Sequence, residues 1–394
     1  MLSPNSLRPA LPDDWEAGGF GLYIHWPFCE SKCPYCDFNS HVSARIDQDA
    51  WRRAYLSELN RVARETSGRV LRSVFFGGGT PSLMAPETVA EVIAELRRLW
   101  PAANDLEITL EANPGSVDAG RFAAYRQAGV NRVSMGIQAL NDADLKRLGR
   151  LHSAKEALAA FDIARTHFDR VSFDLIYARQ DQSLSGWEAE LKQALSLAID
   201  HLSLYQLTIE SGTAFGDRYN AGRLRGLPDE DLGADMFAVT QDLCGAAGMP
   251  AYEVSNHAKD GAQSRHNLIY WRYGDYAGIG PGAHGRLTLG GQRWATEATR
   301  MPAAWLNNAP GGGAETRSRL TREDQAAEYL LMGLRLKEGI DLRRYAALSG
   351  QTLDGDVLEE LSDLGMALCD GERLIVSNQG FMVLNAVISR LLGA

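Results

Sequence analysis

Residues 23–38 read YIHWPFCESKCPYCDF, an apolar run followed by cysteines at positions 29, 33 and 36. The chain has only five cysteines among its 394 residues, so the presence of three of them within eight positions indicates a shared function. Thiolates this close together in a loop are typical of a metal site. Zinc needs four ligands, and His41 is near enough in sequence to complete a Cys3His set. A [4Fe–4S] cluster held by three thiolates instead leaves one iron open to bind a small molecule.

The composition is that of a soluble globular protein, with 45% hydrophobic and 23% charged residues. No apolar run reaches the roughly 18 residues of a membrane helix, and the N-terminus lacks the pattern of a secretory signal. Cys244 and Cys369 are far from the cysteine cluster, so we expect no disulfide framework and a reducing, cytoplasmic location. The net charge of -10 argues against nucleic acid as the main partner.

Strand patterns and helix patterns alternate from residue 20 to residue 210. This alternation predicts parallel strands joined by helical crossovers, which curl into a full or partial barrel when they follow in unbroken order. Functional residues are then expected at the carboxyl ends of the strands. The predicted strands are 20–26, 73–79, 106–114, 130–138, 170–177 and 201–210. The helices predicted between them are at about 47–65, 86–99, 118–128 and 184–197, with separate helical stretches within 141–166.

The chain divides into four predicted segments. They are a disordered or loosely packed lead-in (1–18), a barrel (19–215), an extension of the barrel (216–315) and a small, mostly helical C-terminal domain (316–394).

The extension begins with a helix at about 229–247 and continues as an irregular Gly- and Tyr-rich segment at 252–285. The PGGGA run at 310–314 is predicted to be a linker or loop. Beyond it, the pattern predicts helix, helix, short strand and helix.

The spacing C-x3-C-x2-C, with Tyr35 directly before the third cysteine, resembles the signature of the radical S-adenosylmethionine (SAM) superfamily. That superfamily carries the cysteine loop after the first strand of a partial (β/α)6, TIM-like barrel. It also has a Gly-rich stretch after the second strand, which matches GGGTP at 77–81. Glycines there allow the backbone to approach a ligand closely. The resemblance therefore favours an iron–sulfur cluster over zinc.

Longer matches extend the resemblance over nearly the whole chain. YIHWPFC, GGGTP, LEANP, SMGIQ, RLH and DLIY follow in order from 23 to 177 and resemble the oxygen-independent coproporphyrinogen III oxidase family. The resemblance implies that the three cysteines bind the cluster. It also implies that Tyr23, Gly78 and Glu111 contact the SAM on the open iron. Positions that contact a second SAM in the oxidase match Tyr35, Gly79, Thr80, Gln138, Arg150 and Asp174.

Less specific roles remain open for three of these residues. Gln138 and Arg150 could be polar residues of the surface, and Asp174 could bond to a helix or turn. The family usually reads YGLPGQ after DLI, whereas this chain reads YARQDQ at 177–182. The shape of this loop is therefore uncertain from the sequence.

Phe38 stands where the oxidases carry a fourth cysteine. In this respect the chain resembles the HemW-like heme chaperone branch of the family. HNLIYW at 266–271 also resembles the HNxxYW motif that is associated with heme binding in that branch. The resemblance implies a heme site made by His266, Asn267, Tyr270 and Trp271.

The chemistry of these residues suits a heme. A neutral imidazole such as that of His266 is a good axial ligand, and aromatic rings can cover a porphyrin face. Arg265 and Arg272 could form ion pairs with the propionate groups of the heme. Alternatively, His266 and its neighbour Asn267 only hydrogen-bond a loop across the barrel mouth. His284 is a second candidate ligand, and His25 is expected to pack beside the cysteine loop.

We therefore expect a SAM-cleaving protein that binds heme and transfers it to heme-accepting proteins, without coproporphyrinogen III oxidase activity. Its partners would include an electron donor such as a flavodoxin or ferredoxin, and a peripheral association with the membrane is compatible with heme donation. The alternative is the oxidase itself, which decarboxylates two propionates; Phe38 and the altered loop argue against it. A tRNA-modifying enzyme is a third candidate, but residues 322–394 show no basic run, so we expect no nucleic-acid partner.

Overall fold

The computed structural model describes residues 13–43 and 45–393. The strands are β1 (Phe20–Trp26), β2 (Phe28–Cys29), β3 (His41–Val42), β4 (Leu71–Gly78), β5 (Ala102–Ala112), β6 (Arg132–Gln138), β7 (Arg170–Tyr177), β8 (His201–Gln206), β9 (Asn256–Ala258), β10 (Asp275–Ile279), β11 (His284–Leu289), β12 (Gln292–Ala298), β13 (Glu315–Arg319), β14 (Ile340–Asp341), β15 (Ala367–Asp370) and β16 (Arg373–Val376). The helices are α1 (Gln48–Glu65), α2 (Pro86–Leu99), α3 (Ala119–Ala128), α4 (Asp142–Arg147), α5 (Ala154–His167), α6 (Leu184–Leu197), α7 (Ala214–Asn220), α8 (Glu230–Ala246), α9 (Arg265–Trp271), α10 (Pro302–Asn308), α11 (Arg322–Gly333), α12 (Leu342–Ser349), α13 (Gly355–Asp363), α14 (Asn378–Met382) and α15 (Leu384–Leu392).

One large sheet organises the molecule. Its strand order is β13-β12-β11-β10-β1-β4-β5-β6-β7-β8-β9. From β1 to β8 the strands are parallel and follow in chain order, with helices between them. Within the described part of the chain, the outer strands β9 and β13 do not pair with each other, so the barrel is partial. The predicted α/β fold with a partial (β/α)6 barrel is thus confirmed.

Burial explains why these strands form. In β1, six of the seven residues are buried, and Leu22, Ile24 and Trp26 pack among the helices that cover the sheet. Strands that are buried on both faces are typical of parallel sheets with helical crossovers. The alternate residues of β1, such as Tyr23 and His25, contact side chains inside the barrel. The barrel interior therefore holds polar and aromatic side chains.

Most predicted elements agree with the structure to within a few residues, but the segment at 252–285 does not. It was predicted to be irregular, whereas it contains β9, α9, β10 and the beginning of β11. β10 pairs in parallel with β1 on the side opposite β4, and β11 to β13 continue from it in antiparallel fashion. The PGGGA run at 310–314 begins in a short 3-10 turn and then forms a loop before β13.

The predicted lead-in lies partly outside the described residues. Its described part, from residue 13, is exposed or half-buried but makes two specific contacts with the rest of the chain. Asp14 forms an ion pair with Arg344 at 2.8 Å, and the guanidinium of Arg69 lies 4.3 Å from the centre of the Trp15 ring. These contacts fasten the segment to both the barrel and the C-terminal region.

The C-terminal region is mostly helical, but it contains more strand than the sequence predicted. β14, β16 and β15 form a separate three-stranded antiparallel sheet, and α11 to α15 pack around their own apolar core. The predicted boundary between residues 315 and 316 falls within β13, which pairs with β12. The four domain boundaries remain predictions. Of the helices that the structure describes, none is both long and apolar enough to cross a membrane.

Candidate functional site

A cavity of about 440 Å³ opens at the carboxyl ends of the barrel strands. It joins the cysteine loop to the ends of β4, β5, β6, β7 and β8, where a barrel of this kind places its functional residues. The cavity brings together every residue that the resemblance assigns to the cluster and to SAM, except Tyr23. These residues are Cys29, Cys33, Tyr35, Cys36, Gly78, Gly79, Thr80, Glu111, Gln138, Arg150 and Asp174.

The three loop cysteines are free, partly exposed thiols. The hydroxyl of Thr80 donates to the sulfur of Cys29 at 3.4 Å, and Nη1 of Arg150 donates to the sulfur of Cys33 at 3.4 Å. Burial raises the pKa of the Cys29 thiol, and the donor from Thr80 offsets part of this rise, so it favours the thiolate form that binds metal. Three thiolates facing a cavity fit a [4Fe–4S] cluster that has one iron open to the cavity.

The alternative of a zinc site with His41 does not match the geometry. His41 lines a neighbouring cavity rather than the one with the cysteines. Its Nε2 lies 3.2 Å from the side-chain oxygen of Asn39. In the described part of the chain, no group of three or more His, Cys, Asp or Glu side chains is arranged to hold a single metal ion.

The Gly-rich stretch is required by protein packing as well as by access to a ligand. Gly78 has φ 110°, and a Cβ there would lie 2.6 Å from Nδ1 of His25. A Cβ at Gly79 would lie 2.6 Å from the carbonyl oxygen of Phe28. The amide of Gly78 donates to Oε2 of Glu111 at 3.2 Å. These glycines therefore let β4 pass close to β1 and the cysteine loop.

Two carboxyl groups, those of Glu111 and Asp174, line the cavity, and their charges interact. Burial, together with the nearby charge of Asp174, raises the pKa of Glu111 to about 8. Burial also raises the pKa of Asp174 to about 6, against the opposing effect of hydrogen bonds from Ser203 and Ser134 and the charge of Arg132. Glu111 is thus largely protonated at neutral pH until a cationic ligand favours its ionised form.

Two polar atoms in this cavity lack a partner. Oε1 of Gln138 and Nε of Arg150 are buried without a hydrogen bond in the structure. Gln138 also has φ 77°, in the left-handed region that is costly for a residue other than glycine. Both side chains line the cavity, so each is placed to bond a polar ligand that binds there. The reading of Gln138 and Arg150 as ordinary surface residues is not supported.

Tyr23 does not line the cysteine cavity. It lies deeper in the barrel, where its hydroxyl is 3.0 Å from Nδ1 of His25. It lines a second cavity of about 520 Å³ on the other side of the cysteine loop, which we name the histidine cavity. His25 packs beside the loop as expected, since its Nε2 bonds to the backbone oxygen of Asn39 at 3.0 Å.

The HNLIYW segment forms α9, which packs against β1, β4 and β10. The backbone amide of Arg265 donates to Glu107 of β5 at 2.9 Å. His266 bonds to Ser73, the third residue of β4. α9 therefore lies at the amino ends of the strands, opposite the cysteine loop. The alternative that this segment bonds a loop across the barrel mouth is wrong for this reason.

The imidazole of His266 is enclosed. Its Nδ1 lies 2.8 Å from the hydroxyl of Ser73, its Nε2 lies 2.7 Å from the hydroxyl of Tyr270, and the ring stacks on Phe75 at 5.0 Å. Burial lowers its pKa to about 3, so the ring is neutral. Because both nitrogens have partners, the expected role of His266 as an axial heme ligand does not fit this geometry.

The polar side chains near His266 also have hydrogen-bond or ion-pair partners, except for the indole N–H of Trp271. Asn267 donates to the hydroxyl of Tyr252 at 3.5 Å, Arg265 pairs with Asp105, and Arg272 pairs with Glu338 at 2.8 Å. Trp271 keeps its buried indole N–H without a partner. Tyr270 reaches the histidine cavity, so it is the member of the motif that lines a cavity.

The loop that departs from the family pattern is built around Arg179. This arginine is buried and donates to Asp144 at 2.9 Å and to Glu190. Ala178 and Asp181 adopt positive φ angles of 56° and 57°, which make the turn without glycine. The loop points away from the cysteine cavity, where β7 contributes Asp174 and Ile176.

Some residues of the site were not predicted. Ser134 bonds to Asp174 at 3.4 Å, and Tyr205 and Gln206 line the cavity from the end of β8. Their position at the carboxyl ends of predicted strands was the available signal. Asn39 was also missed. It donates to the carbonyl oxygens of Pro281 and Arg300 at 2.9 Å each and so ties the cysteine loop to the segments that follow β10 and β12, whose proximity no local pattern indicates.

Comparison with known proteins agrees with this geometry. The family model of the radical SAM superfamily matches residues 23–192, and that of the HemN C-terminal domain matches residues 320–383. The solved structure of the coproporphyrinogen III oxidase HemN from Escherichia coli, described as a radical SAM enzyme, superposes with a TM-score of 0.79. It covers 97% of this chain and 91% of its own at 20% identity, which supports the fold alone.

Curated relatives are similar over most of their length. The heme chaperone HemW of Escherichia coli is 40% identical over 88% of this chain and 90% of its own. That of Bacillus subtilis is 34% identical over 94% and 98%. The mitochondrial radical S-adenosyl methionine domain-containing protein 1 of Bos taurus is 39% identical over 94% and 87%. The chain belongs to the radical SAM superfamily and, within it, to the HemW family.

Proposed function

We propose that this protein is a heme chaperone that binds heme and transfers it to hemoproteins, and that it cleaves SAM without oxidising coproporphyrinogen III. The observation that carries the proposal is its similarity, at 34–40% identity over most of the chain, to bacterial proteins named heme chaperone HemW. Phe38 supports it. This residue is 56% exposed on the wall between the two cavities, where the oxidases place a fourth cysteine.

The cysteine cavity is suited to hold the cluster and SAM. Cys29, Cys33 and Cys36 would hold the cluster as three thiolates, and a cluster bound there, once reduced by an external donor, would supply one electron to SAM. Glu111 and Asp174 offer negative charge to the cationic groups of SAM. The ionisation of Glu111 moves a proton from Oε1 or Oε2 to solvent when such a cation binds.

The remaining polar residues orient the ligand. Gln138 and Arg150 each have a buried atom free to bond it, and Tyr35 packs at 6.3 Å against Phe215 at the cavity edge. Arg150 and Cys33 both lie close to the hydroxyl group of Tyr35.

Partners and location follow from the same proposal. Heme and heme-accepting proteins are the partners, and a small electron carrier such as a flavodoxin or ferredoxin delivers the electron. We propose a cytoplasmic location because all five cysteines are free thiols, which is usual in a reducing compartment. A peripheral association with the membrane belongs to the proposal as well.

The test is an anaerobic titration of the reconstituted protein with hemin, followed by its Soret absorption. The same preparation is then assayed for coproporphyrinogen III turnover with SAM and a reductant. Saturable binding of one hemin per chain without turnover supports the proposal. Formation of protoporphyrinogen, or hemin binding that does not saturate at a defined ratio, contradicts it.

A further inference from the structure

The histidine cavity is the place where the structure offers free ligands to a heme. It gathers three histidines, three tyrosines and two basic side chains in about 520 Å³. That volume lies within the roughly 300–1,000 Å³ of typical ligand sites. The lining residues used here are His25, His41, His284, Tyr23, Tyr270 and Tyr276, with Lys32 and Arg300 at the rim.

The three imidazoles differ in what they can bind. Both nitrogens of His25 have partners, namely the hydroxyl of Tyr23 and the backbone oxygen of Asn39. His41 has one nitrogen bonded to the side chain of Asn39. His284, at the start of β11, is exposed, and no hydrogen bond among the described residues involves its ring. His284 therefore presents the imidazole that is most available to an iron.

The walls suit a porphyrin. The rings of Tyr270 and Tyr276 lie 4.2 Å apart, and Phe38 closes the side toward the cysteine cavity. Aromatic rings of this kind bury a large flat ligand and offer hydroxyl groups at its edge. The cavity wall therefore combines aromatic rings with polar side chains.

The rim carries cations for acidic substituents. Lys32 and Arg300 are exposed. Arg300 pairs with Glu297 at 3.0 Å, and the side chains of this pair are 70% and 44% exposed. Such a pair is weak, so Arg300 retains N–H donors for a propionate. Asp37 adds one negative charge on the wall shared with the cysteine cavity.

The HNLIYW motif acquires a different role in this arrangement. Tyr270 of the motif lines the histidine cavity, and its hydroxyl forms a hydrogen bond of 2.7 Å with Nε2 of His266. His266 thus affects the cavity through Tyr270 rather than through an iron bond. It is a positioning residue.

We propose that heme binds in the histidine cavity with His284 as the iron ligand, while His266 positions Tyr270 in the wall. The inference rests on the proposed function, since it locates the site of the same heme. Lys32, Asp37, Phe38 and Ser40 line both cavities, so the heme lies directly beside the cysteine loop.

The experiment is a hemin titration of the full-length reconstituted protein and of three variants, read by absorption and EPR spectra. In His284→Ala we expect at least tenfold weaker binding and loss of the signature of histidine ligation, with recovery of that signature on adding imidazole. In His266→Gln we expect weaker binding with the signature retained. His167→Ala, at the outer end of α5, is the matched control and should behave as the unsubstituted protein does.

The opposite pattern would overturn the inference. If His284→Ala binds hemin with an unchanged spectrum while His266→Gln loses histidine ligation, the ligand lies in the motif. If His41→Ala alone loses the signature, the assignment to His284 is equally wrong. In both cases hemin still binds, so the proposed function survives. Failure of the unsubstituted protein to bind hemin refutes the function and the site together.

Discussion

The guanidinium of Arg150 lies 3.4 Å from the sulfur of Cys33, so a fixed positive charge stands beside one of the proposed cluster ligands. A reduced cluster carries one more negative charge than an oxidised one, and this cation favours the reduced state. Arg150→Met should therefore lower the reduction potential of the reconstituted cluster, by on the order of 50 mV for one partly screened charge. An EPR-monitored redox titration measures the shift. Arg147→Met, whose arginine is exposed and pairs with Asp144 and Asp181, should leave the potential unchanged.

Substitution of single cysteines distinguishes those that bind the cluster from those that do not. Serine at Cys29, Cys33 or Cys36 should abolish the cluster, because only three protein thiolates are available to hold it. Serine at the exposed Cys369 or the buried Cys244 should leave iron and sulfide content unchanged. Iron and acid-labile sulfide analysis after anaerobic reconstitution checks this. Full cluster content in any of the three loop variants would refute the ligand assignment.

Glu111 should make stability depend on pH in the absence of ligand. The pKa of Glu111 is raised from 4.5 to about 8 in the folded protein. Its contribution to the free energy of unfolding is therefore fully present below pH 4.5 and is lost as pH rises through 8. Glu111→Gln should thus raise the melting temperature at pH 8–9 and make little difference near pH 5. Thermal unfolding at a series of pH values tests the sign. An equal effect at both pH values would mean that Glu111 does not titrate in this way.

Removal of Arg179 should be strongly destabilising. Its buried guanidinium joins Asp144 to Glu190, and an uncharged side chain would leave Glu190 buried without a cation. We expect Arg179→Met to cost about 3–5 kcal/mol of unfolding free energy. The exposed Arg147 shares the partner Asp144, so Arg147→Met should cost less than about 1 kcal/mol. Equilibrium unfolding in urea compares the two, and similar losses would argue against a structural role for the Arg179 network.

Phe38 should contribute to heme binding without supporting the fold. Its ring is 56% exposed and lines both cavities. Phe38→Ala should weaken hemin binding about three- to tenfold, since a large apolar contact is lost. The melting temperature and the cluster content should not change. Phe168, which is buried in the core, shows the contrast, because Phe168→Ala should lower stability instead.

The sequence predicted the barrel well because its signals are local. Apolar runs such as 20–26 end at cysteines or glycines, and each lies next to a helix pattern, so β1, β4 and their successors were located to within a few residues. β10 and β11 were missed because GDYAGIGPGAHG is rich in glycine, and its strands form only by pairing with β1 and β12. Strand pairing between residues far apart in the chain produces no periodic pattern in the local sequence.

The site was predicted unevenly for a related reason. Motif spacing identified the residues that meet at the carboxyl ends of the strands, but it could not tell in which direction a side chain points. Tyr23 faces the histidine cavity rather than the cysteines. His266 is enclosed by Ser73 and Tyr270, although a neutral imidazole in a heme-associated motif suggested a ligand. Burial and hydrogen-bond partners decide these roles, and both depend on the whole fold.

The central claim, that the protein delivers heme, is tested most directly by the kinetics of transfer. Hemin-loaded protein is mixed either with heme-depleted respiratory membranes from the source organism or with apomyoglobin, a scavenger that reports passive release of hemin. The account predicts that transfer to the membranes is faster than release to apomyoglobin and that its rate rises with membrane concentration. Equal rates that do not depend on the acceptor would show passive release only and would contradict a chaperone.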